Sequence, residues 1–485
     1  MSSDSAYRNI NRGGRARSMP VAYFKRDVGE RILDFEEVIL GYDDETAMAE
    51  ASRCVQCPDP QCCVINCPAN NDIPEALWRI SEGKFIEAAQ IFARTNPLTE
   101  VCGRVCPNLC QTGCVLSQAC GAASIGKLEA FAANKAREAG ALFIPVPAEK
   151  IGKKVAVVGS GPAGITVAED LVKLGHEVTI FEAWPVAGGV LVYGIPNFKL
   201  DKEVVGYKIT DLLEAGVTIK TNTRIGDEIT IEDLQAQYDA VFLGTGAGVE
   251  ATMGIPGEDL AGVYKSTDFL VRANVPQHML PPDKQRIPDV GKRVAVIGGG
   301  DTAVDCARTA VRLGAEEVTI VYRRTEAEMP GNKSERAICL EEGVNIEYLQ
   351  APVEYFGDDN GVLKEMMVIE MELGAPDQSG RRRPVAVDGS EFMQDVDTVV
   401  LAVGYWPDPA LGKKTAGLKT YKWGLFLTDE DIGATSREGV FAAGDNVHGP
   451  DLVITAVTSA HKAAKSIDAY LQGDSIPWVA AEAAL

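Results

Sequence analysis

Within residues 53–68, RCVQCPDPQCCVINCP, five cysteines fall inside fourteen positions: Cys54, Cys57, Cys62, Cys63 and Cys67, with Pro68 closing the run. Thiolates at such short spacing, ending in Cys-Pro, suit iron–sulfur cubanes, where the last sulfur of the run reaches a second cluster. A second set follows at Cys102, Cys106, Cys110, Cys114 and Cys120, so ten of the twelve cysteines lie between positions 54 and 120. A disulfide scaffold would be small and would spread its cysteines through the chain. Zinc accepts a C-x-x-C pair equally well. Eight to ten thiols with Cys-Pro and no neighbouring histidine favour iron–sulfur chemistry instead.

Two further patterns have the chemistry of dinucleotide binding. KKVAVVGSGPAGITVAEDLVKLGHEVTIFE (153–182) reads as a buried strand, a glycine turn, a helix and a second strand ending in Glu182. Gly159, Gly161 and Gly164 supply G-x-G-x-x-G: a tight turn, close approach to a pyrophosphate and close helix–strand packing. The helix N-terminus then faces the phosphates, and Glu182 stands where a carboxylate accepts ribose hydroxyls. The unit repeats in GKRVAVIGGGDTAVDCARTAVRLGAEEVTIVYRR (291–324), with Gly298, Gly300 and Ala303 at the fingerprint positions. Aligned with one extra residue before its second strand, this unit has Tyr322 opposite Glu182, followed by Arg323 and Arg324. Loss of the carboxylate and gain of guanidinium groups is what a 2′-phosphate requires. Two sites of different nucleotide preference are therefore expected. A third pattern, REGVFAAGDN (437–446), is a buried strand ending at Asp445. That carboxylate either meets the ribityl or pyrophosphate part of a flavin or caps the helix that follows.

The elements that must position these groups are also legible. DETAMAEASR has helical spacing and presents Cys54 near a helix end. Residues 73–95 read as two amphipathic helices broken near Gly83, and 124–140 as a third with Gly140 as its stop. This predicts a small helical domain over 1–145, with a proline-rich linker at 142–150. The glycine-unit pattern predicts an α/β part with two Rossmann-like domains in a glutathione-reductase-like arrangement: 146–290, 291–404 and a returning segment 405–485. AVFLGTGAG (240–248) and TVVLAVGYWPD (398–408) are apolar runs ending in glycine, as expected where the chain crosses between nucleotide-binding halves.

The 485 residues carry a formal net charge of −22, which argues against nucleic acid as a partner. No run reaches the length of a membrane span and the N-terminus lacks an apolar signal core, so a cytoplasmic protein is expected. Arg8, Arg12, Arg15 and Arg17 sit among Ser, Gly and Asn in a segment expected to be disordered or draped on a partner. The four histidines are scattered and no side-chain catalytic set stands out. Cys306 and Cys339 read as core residues.

GSGPAG, GGVLVYGIPNFKL, GGGDTAVDC, YRRTEAEMPG and GVFAAGDN together resemble the small (beta) subunit of NADPH-dependent glutamate synthase. The chain is similar also to the large subunit of NADH-dependent ferredoxin:NADP oxidoreductase and to the N-terminal part of dihydropyrimidine dehydrogenase, over roughly positions 20–472. The resemblance implies one FAD on the first glycine unit, one NADP(H) on the second and two [4Fe–4S] clusters, and it adds Gly189 to the cofactor-binding positions. By motif matching, Cys54, Cys57, Cys62 and Cys114 hold one cluster, and Cys67, Cys106, Cys110 and Glu129 the other. The chain departs from the family pattern in its Cys62-Cys63 pair and in its shorter Cys106–Cys110 spacing. Cys102 and Cys120 are additional candidates.

The expected activity is that of an NAD(P)H-dependent flavin iron–sulfur oxidoreductase. Hydride passes from NADPH to the flavin and electrons leave singly through the clusters to a partner protein. That partner is expected to be a glutamate synthase large subunit-like or flavin/iron–sulfur subunit, or ferredoxin. The alternative is a bifurcating flavin that splits an electron pair between ferredoxin and a nicotinamide acceptor. A dithiol path of the thioredoxin reductase type is not expected, because the chain's C-x-x-C lies at Cys54/Cys57, in the helical domain.

Overall fold

Apolar runs such as Lys154–Val158 and Arg293–Ile297 are buried along almost their whole length, the pattern of strands covered on both faces. The computed structural model, which describes residues 10–141, 144–377 and 380–480, builds two parallel sheets from them. The first unit contributes β3 (Lys154–Val158), α9 (Pro162–Lys173), β4 (Glu177–Phe181), α10 (Lys202–Glu214), β5 (Thr218–Lys220) and β6 (Ala240–Leu243). It is completed from the far end of the chain by β18 (Val440–Ala442) and α14 (Val453–Leu471), giving the order β18-β6-β3-β4-β5.

The second sheet has the order β11-β10-β9-β16-β8. Its strands are β8 (Val263–Lys265), β9 (Arg293–Ile297), β10 (Glu317–Tyr322), β11 (Asn345–Tyr348) and β16 (Thr398–Leu401), with α12 (Asp301–Arg312) and α13 (Lys333–Glu341) as covering helices. Its edge strand β8 thus comes from within the 146–290 segment. Between β11 and β16 an antiparallel excursion of four strands (Gln350–Gly357, Leu363–Pro376, Arg382–Ala386 and Phe392–Asp395) is attached to this unit. The two glycine-ended runs are the crossings between the sheets. After β6 and β16 the chain forms β7 (Val249–Glu250) and β17 (Tyr405–Trp406), which pair antiparallel as a two-stranded ribbon.

The N-terminal lobe is helical: α2 (Asp44–Ala51), α3 (Cys62–Ile65), α4 (Ile73–Ser81), α5 (Phe85–Phe92), α6 (Thr99–Val105), α7 (Leu109–Thr112) and α8 (Ile125–Glu138). The break between α4 and α5 contains Gly83 at φ +74°. Gly103 allows α6 to lie directly on α8: a Cβ there would stand 2.4 Å from the backbone nitrogen of Ala130. One apolar core runs from this lobe into the first unit, joining Phe92, Leu98 and Leu128 to Val155, Ile180 and Ile467. The second unit has a core of its own around Phe269, Val296 and Ile320.

Residues 24–41 form a strap from this lobe to the second unit. Its strands β1 (Phe24–Lys25) and β2 (Ile39–Gly41) pair. Arg31, which is buried, bonds Glu342 at 3.0 Å and Glu341 at 2.8 Å, where α13 ends. Arg308 and Arg312 converge on the same Glu342. Burial opposes that carboxylate's charge, yet the bonds from Arg312 and Arg308 pull it down to about 2. The N-terminal segment corrects the expectation of disorder: residues 10–20 lie against this chain's own cysteine loop. Arg8 and the linker residues Leu142 and Phe143 lie outside the described residues. Among the described residues no helix is long and apolar enough to cross a membrane.

Candidate functional site

The helical lobe gathers its sulfurs into two groups. Cys54 follows α2, Cys57 lies three residues on, α3 carries Cys62 and Cys63, and Cys114 follows α7; all line one pocket, floored by Ile73, Leu77, Leu116 and Ile125. Burial pushes the Cys54 thiol up to about 11 and Cys63 to about 12, and the neighbouring sulfurs add to both shifts. Cys63, half-buried, is near enough to feel Cys54, Cys114 and Cys57, and the exposed Cys62 is near enough to act on Cys57.

Cys67, Cys102, Cys106 and Cys110 form the second group around Glu129, which α8 holds beside α6 through the close approach at Gly103. Burial raises Glu129 to about 8, against the bond that Asn96 Nδ2 donates to its Oε1 at 2.9 Å. The same Asn96 accepts from the Cys102 thiol at 3.6 Å. Cys110 also feels Cys63, so the groups are neighbours, and Cys67 goes to the second group although it ends the first run. Cys120 joins neither: its thiol donates to the Ala16 carbonyl at 3.2 Å and accepts from Arg53 at 3.5 Å.

These donors fit iron–sulfur clusters. A buried carboxylate among four buried or half-buried thiols is a set of potential anions with no cation bonded to it, which iron would supply. Among the described residues no three His, Cys, Asp or Glu side chains converge on a point as a single ion demands. A cubane instead takes each ligand on a separate iron, around a cavity.

The second group abuts the first nucleotide unit. Thr95, next to Asn96, presents its carbonyl to His461 Nε2 at 3.3 Å, and His461 Nδ1 contacts Asp170 of α9 at 2.5 Å. Burial disfavours the imidazolium, but the Asp170 bond outweighs it and raises His461 above its ordinary value.

In the first unit Gly159 has φ +99°, and a Cβ there would meet the Gly244 carbonyl at 2.4 Å. Gly164 crosses the strand closely enough that its Cβ would stand 2.0 Å from Gly159 O. Gly161, at the head of α9, opens on free space, as a phosphate-binding glycine must. Gly189 closes the other side, where a Cβ would lie 2.7 Å from Gly161 Cα. Glu182 is buried; its Oε2 accepts from Ser160 N at 3.1 Å and Ser160 Oγ at 2.5 Å, and its Oε1 from Trp184 N at 2.8 Å. Asp445 opens a short turn (Asp445–His448) and does not cap α14, whose cap position is Leu452. Burial raises it to about 7. Beside it, buried Asn446 donates to Leu243 O at 2.9 Å while its Oδ1 has no partner among the described residues. A half-buried carboxylate and an orphaned buried amide oxygen at the end of β18, in the sheet that carries the glycine cradle, fit a polar ligand such as FAD.

In the second unit Gly298 (φ +145°) and Gly300 repeat the turn: a Cβ at Gly298 would meet Ala402 O at 2.3 Å, while Gly300 is open. Ala303 is fully buried at the third fingerprint position. Gly299 lies under the Tyr322 ring, whose hydroxyl donates to Glu328 O at 2.8 Å. The two arginines part company. Arg323 is exposed and makes no bond among the described residues. Arg324 is buried, donating to Arg382 O at 2.7 Å and pairing with Asp377 at 3.0 Å.

Residues 153–460 match the profile of the pyridine nucleotide-disulphide oxidoreductases, and residues 31–141 that of dihydropyrimidine dehydrogenase domain II, 4Fe-4S cluster. The glutamate synthase [NADPH] small chain of Halomonas elongata is 42% identical over 458 residues, covering 92% of this chain and 95% of the relative. The chain belongs to the glutamate synthase small-chain family. That of Escherichia coli is 39% identical, covering 92% and 96%. The NADP(+)-dependent formate dehydrogenase subunit beta of Moorella thermoacetica is 39% identical, covering 86% of this chain and 61% of that protein. Mycobacterium tuberculosis FprA in complex with NADPH shares the fold (TM-score 0.56, 22% identity, 67% of this chain and 87% of that one). The chain is therefore an oxidoreductase with FAD- and NADP-binding Rossmann-like domains behind a helical [4Fe–4S] domain. Sequence reasoning passed over Ser160, Asn96, Asn446 and His461. The first sits inside the GSG turn and Asn446 directly after Asp445, so their places were marked, whereas Asn96 and His461 carry no local signal.

Proposed function

We propose that this chain is the electron-input subunit of a larger oxidoreductase, oxidising NADPH and delivering electrons singly, through two [4Fe–4S] clusters, to a partner subunit. The observation that carries it is the joining, in one chain, of two glycine cradles across a ribbon and two sulfur groups, the second of which abuts the first nucleotide unit. The relatives named as small chain and subunit beta support the partner subunit. Bound FAD would supply the conversion of a hydride's electron pair into single electrons.

The residues divide the work as follows. Gly161 and the head of α9 receive the FAD pyrophosphate, with Gly159, Gly164 and Gly189 shaping the cradle. Glu182 keeps one acceptor site, on Oε1, free for a ribose hydroxyl, and Asp445 with Asn446 meets the ribityl side. Gly298, Gly300 and Ala303 form the NADPH cradle, with Arg323 at the 2′-phosphate. Arg324 is assigned to holding the turn through Asp377. Cys54, Cys57, Cys63 and Cys114 hold the first cluster; Cys63 is preferred to the expected Cys62 because it is the less exposed of two sulfurs that line the same pocket and it lies near Cys54, Cys57 and Cys114. Cys67, Cys106, Cys110 and Glu129 hold the second, with Cys102 steadying Asn96. The 1–145 helical lobe thus serves as the exit of a machine whose FAD part is interrupted by the NADPH part.

Anaerobically purified protein should contain flavin and about eight irons, and its flavin absorbance should bleach with NADPH in the absence of glutamine and 2-oxoglutarate. Protein without flavin would overturn the reading. Cys63→Ala should lower the iron to about four while Cys62→Ala keeps about eight; the reverse would return the ligand to Cys62. Glu129→Ala should alter the EPR of one cluster alone, and unchanged signals would make Glu129 a packing residue.

A further inference from the structure

The N-terminal arm touches the first sulfur group at its backbone. Arg15 Nη1 donates to the Cys54 carbonyl at 2.8 Å, and Arg12 donates to the Gln56 carbonyl through Nε at 3.4 Å and Nη2 at 3.3 Å. Gln56, between Cys54 and Cys57, has φ +50°, the left-handed region that non-glycine residues seldom enter. Its own amide spans the loop, donating to Pro74 O at 2.7 Å and to Cys54 Sγ at 3.4 Å. The arm is fixed in place: Arg53 Nε holds the Ser18 carbonyl at 2.9 Å, Cys120 holds that of Ala16, and the Arg15 guanidinium lies 5.5 Å from the Trp78 ring centroid. In a chain of net charge −22, two guanidinium groups thus sit within one carbonyl of a thiolate pair.

We propose that Arg12 and Arg15 raise the reduction potential of the cluster held by Cys54 and Cys57, so that the arm is a charge-bearing cover that tunes it. The inference rests on the reading of these sulfurs as cluster ligands given above. One-electron reduction adds a negative charge to the cluster, and net charge, hydrogen bonding and solvent exposure set its potential. Both guanidiniums favour the reduced form by direct attraction and by drawing electron density through the Cys54 and Gln56 carbonyls. Among the described residues no arm arginine bonds the backbone of the second sulfur group, around Glu129, and Arg12 and Arg15 should leave that cluster alone. The consequence is directional: a raised potential at the first cluster draws electrons away from the flavin side.

The test is the full-length double variant Arg12→Gln/Arg15→Gln, purified anaerobically, with iron counting and an EPR-monitored redox titration. With iron retained, one cluster's midpoint should fall by about tenfold or more in its reduction equilibrium, about 59 mV for one electron, while the other's stays fixed. Arg12→Lys/Arg15→Lys should keep most of the parent potential, since it keeps the charge. Unchanged midpoints with full iron would overturn the proposal and leave the arginines as tethers. Should the double variant lose iron, Arg12→Gln alone, which removes only the longer bonds, decides by the same shift or its absence. Absence of iron from the unsubstituted protein would instead overturn the functional reading itself.

Discussion

Gly159 N donates to Phe181 O and Gly298 N donates to Val321 O, so the two glycine turns are clamped to their second strands by the same bond. The next residue is Glu182 in the first unit and Tyr322 in the second, and the difference at the ribose end starts from it. Glu182 turns inward and ties the Ser160 hydroxyl into the turn. Tyr322 lies flat on Gly299, which must be glycine to admit the ring, and leaves the space beyond to Arg323. The phosphate end of a dinucleotide is read by backbone and needs only glycine and a helix terminus. The ribose end is read by side chains, and one position can reverse its charge preference.

That division can be broken at the phosphate end first, with the largest effect. Neither Gly161 nor Gly300 has a protein atom within 4 Å of a Cβ built on it, so Val is tolerated by the fold but not by a bound pyrophosphate. Gly161→Val should fold and purify without flavin. Gly300→Val should keep its flavin and lose NADPH affinity by about a hundredfold, about 3 kcal/mol, read from the NADPH dependence of flavin bleaching. Loss of fold in either would mean that the open space is structural.

At the ribose end, Arg323→Gln should raise the KM for NADPH about tenfold or more, from loss of a charge-assisted contact of about 1.5–3 kcal/mol, and leave NADH turnover unchanged. Arg324→Gln should instead lower the melting temperature with little change in nucleotide preference, because it breaks a buried guanidinium's pair with Asp377. Interchanged outcomes would swap the two roles. Glu182→Gln should weaken FAD about tenfold, from about 1.4 kcal/mol of lost acceptor strength, measured by reconstitution of flavin-stripped protein.

The smallest effect concerns Asp445. Burial raises it from 3.8 to about 7, so the folded apoprotein holds a proton that the unfolded chain releases. Stability from this group is present at low pH and lost as pH rises between those values. Flavin-stripped Asp445→Asn should therefore gain in melting temperature over the parent as pH goes from 5 to 8; a constant difference would show that the carboxylate is not strained.

Both glycine units, the helices broken at Gly83 and the crossings at 240–248 and 398–408 were legible in the sequence, because buried strands and glycine turns are local signals. The alignment that set Tyr322 opposite Glu182 agrees with the paired turn bonds. The choice between Cys62 and Cys63 was not legible: the two differ by a 100° step around α3, and only packing says which sulfur turns inward. Arg323 and Arg324 alternate across a strand end, and Asp377, which captures the second, lies over fifty residues away. The fate of the arm was equally hidden, since its anchors Gln56, Arg53 and Cys120 are remote partners that composition does not record. The antiparallel excursion at 350–395 mixes charged and apolar residues on an exposed sheet, which blurs the alternation a strand would show.

The ribbon of β7 and β17 brings both covalent crossings side by side, where they would resist a slide of one nucleotide unit against the other more than a swivel. The strap alters those mechanics. Arg31 is rooted in the chain ahead of the helical lobe, which shares its core with the first unit, yet it is locked into Glu341 and Glu342 of the second. A swivel must therefore pull a buried guanidinium from carboxylates that two further arginines also hold. The molecule is a two-strand joint with a latch across it, and the latch closes between residues more than three hundred positions apart in sequence, beside the Lys199–Asp305 pair that joins the same two units.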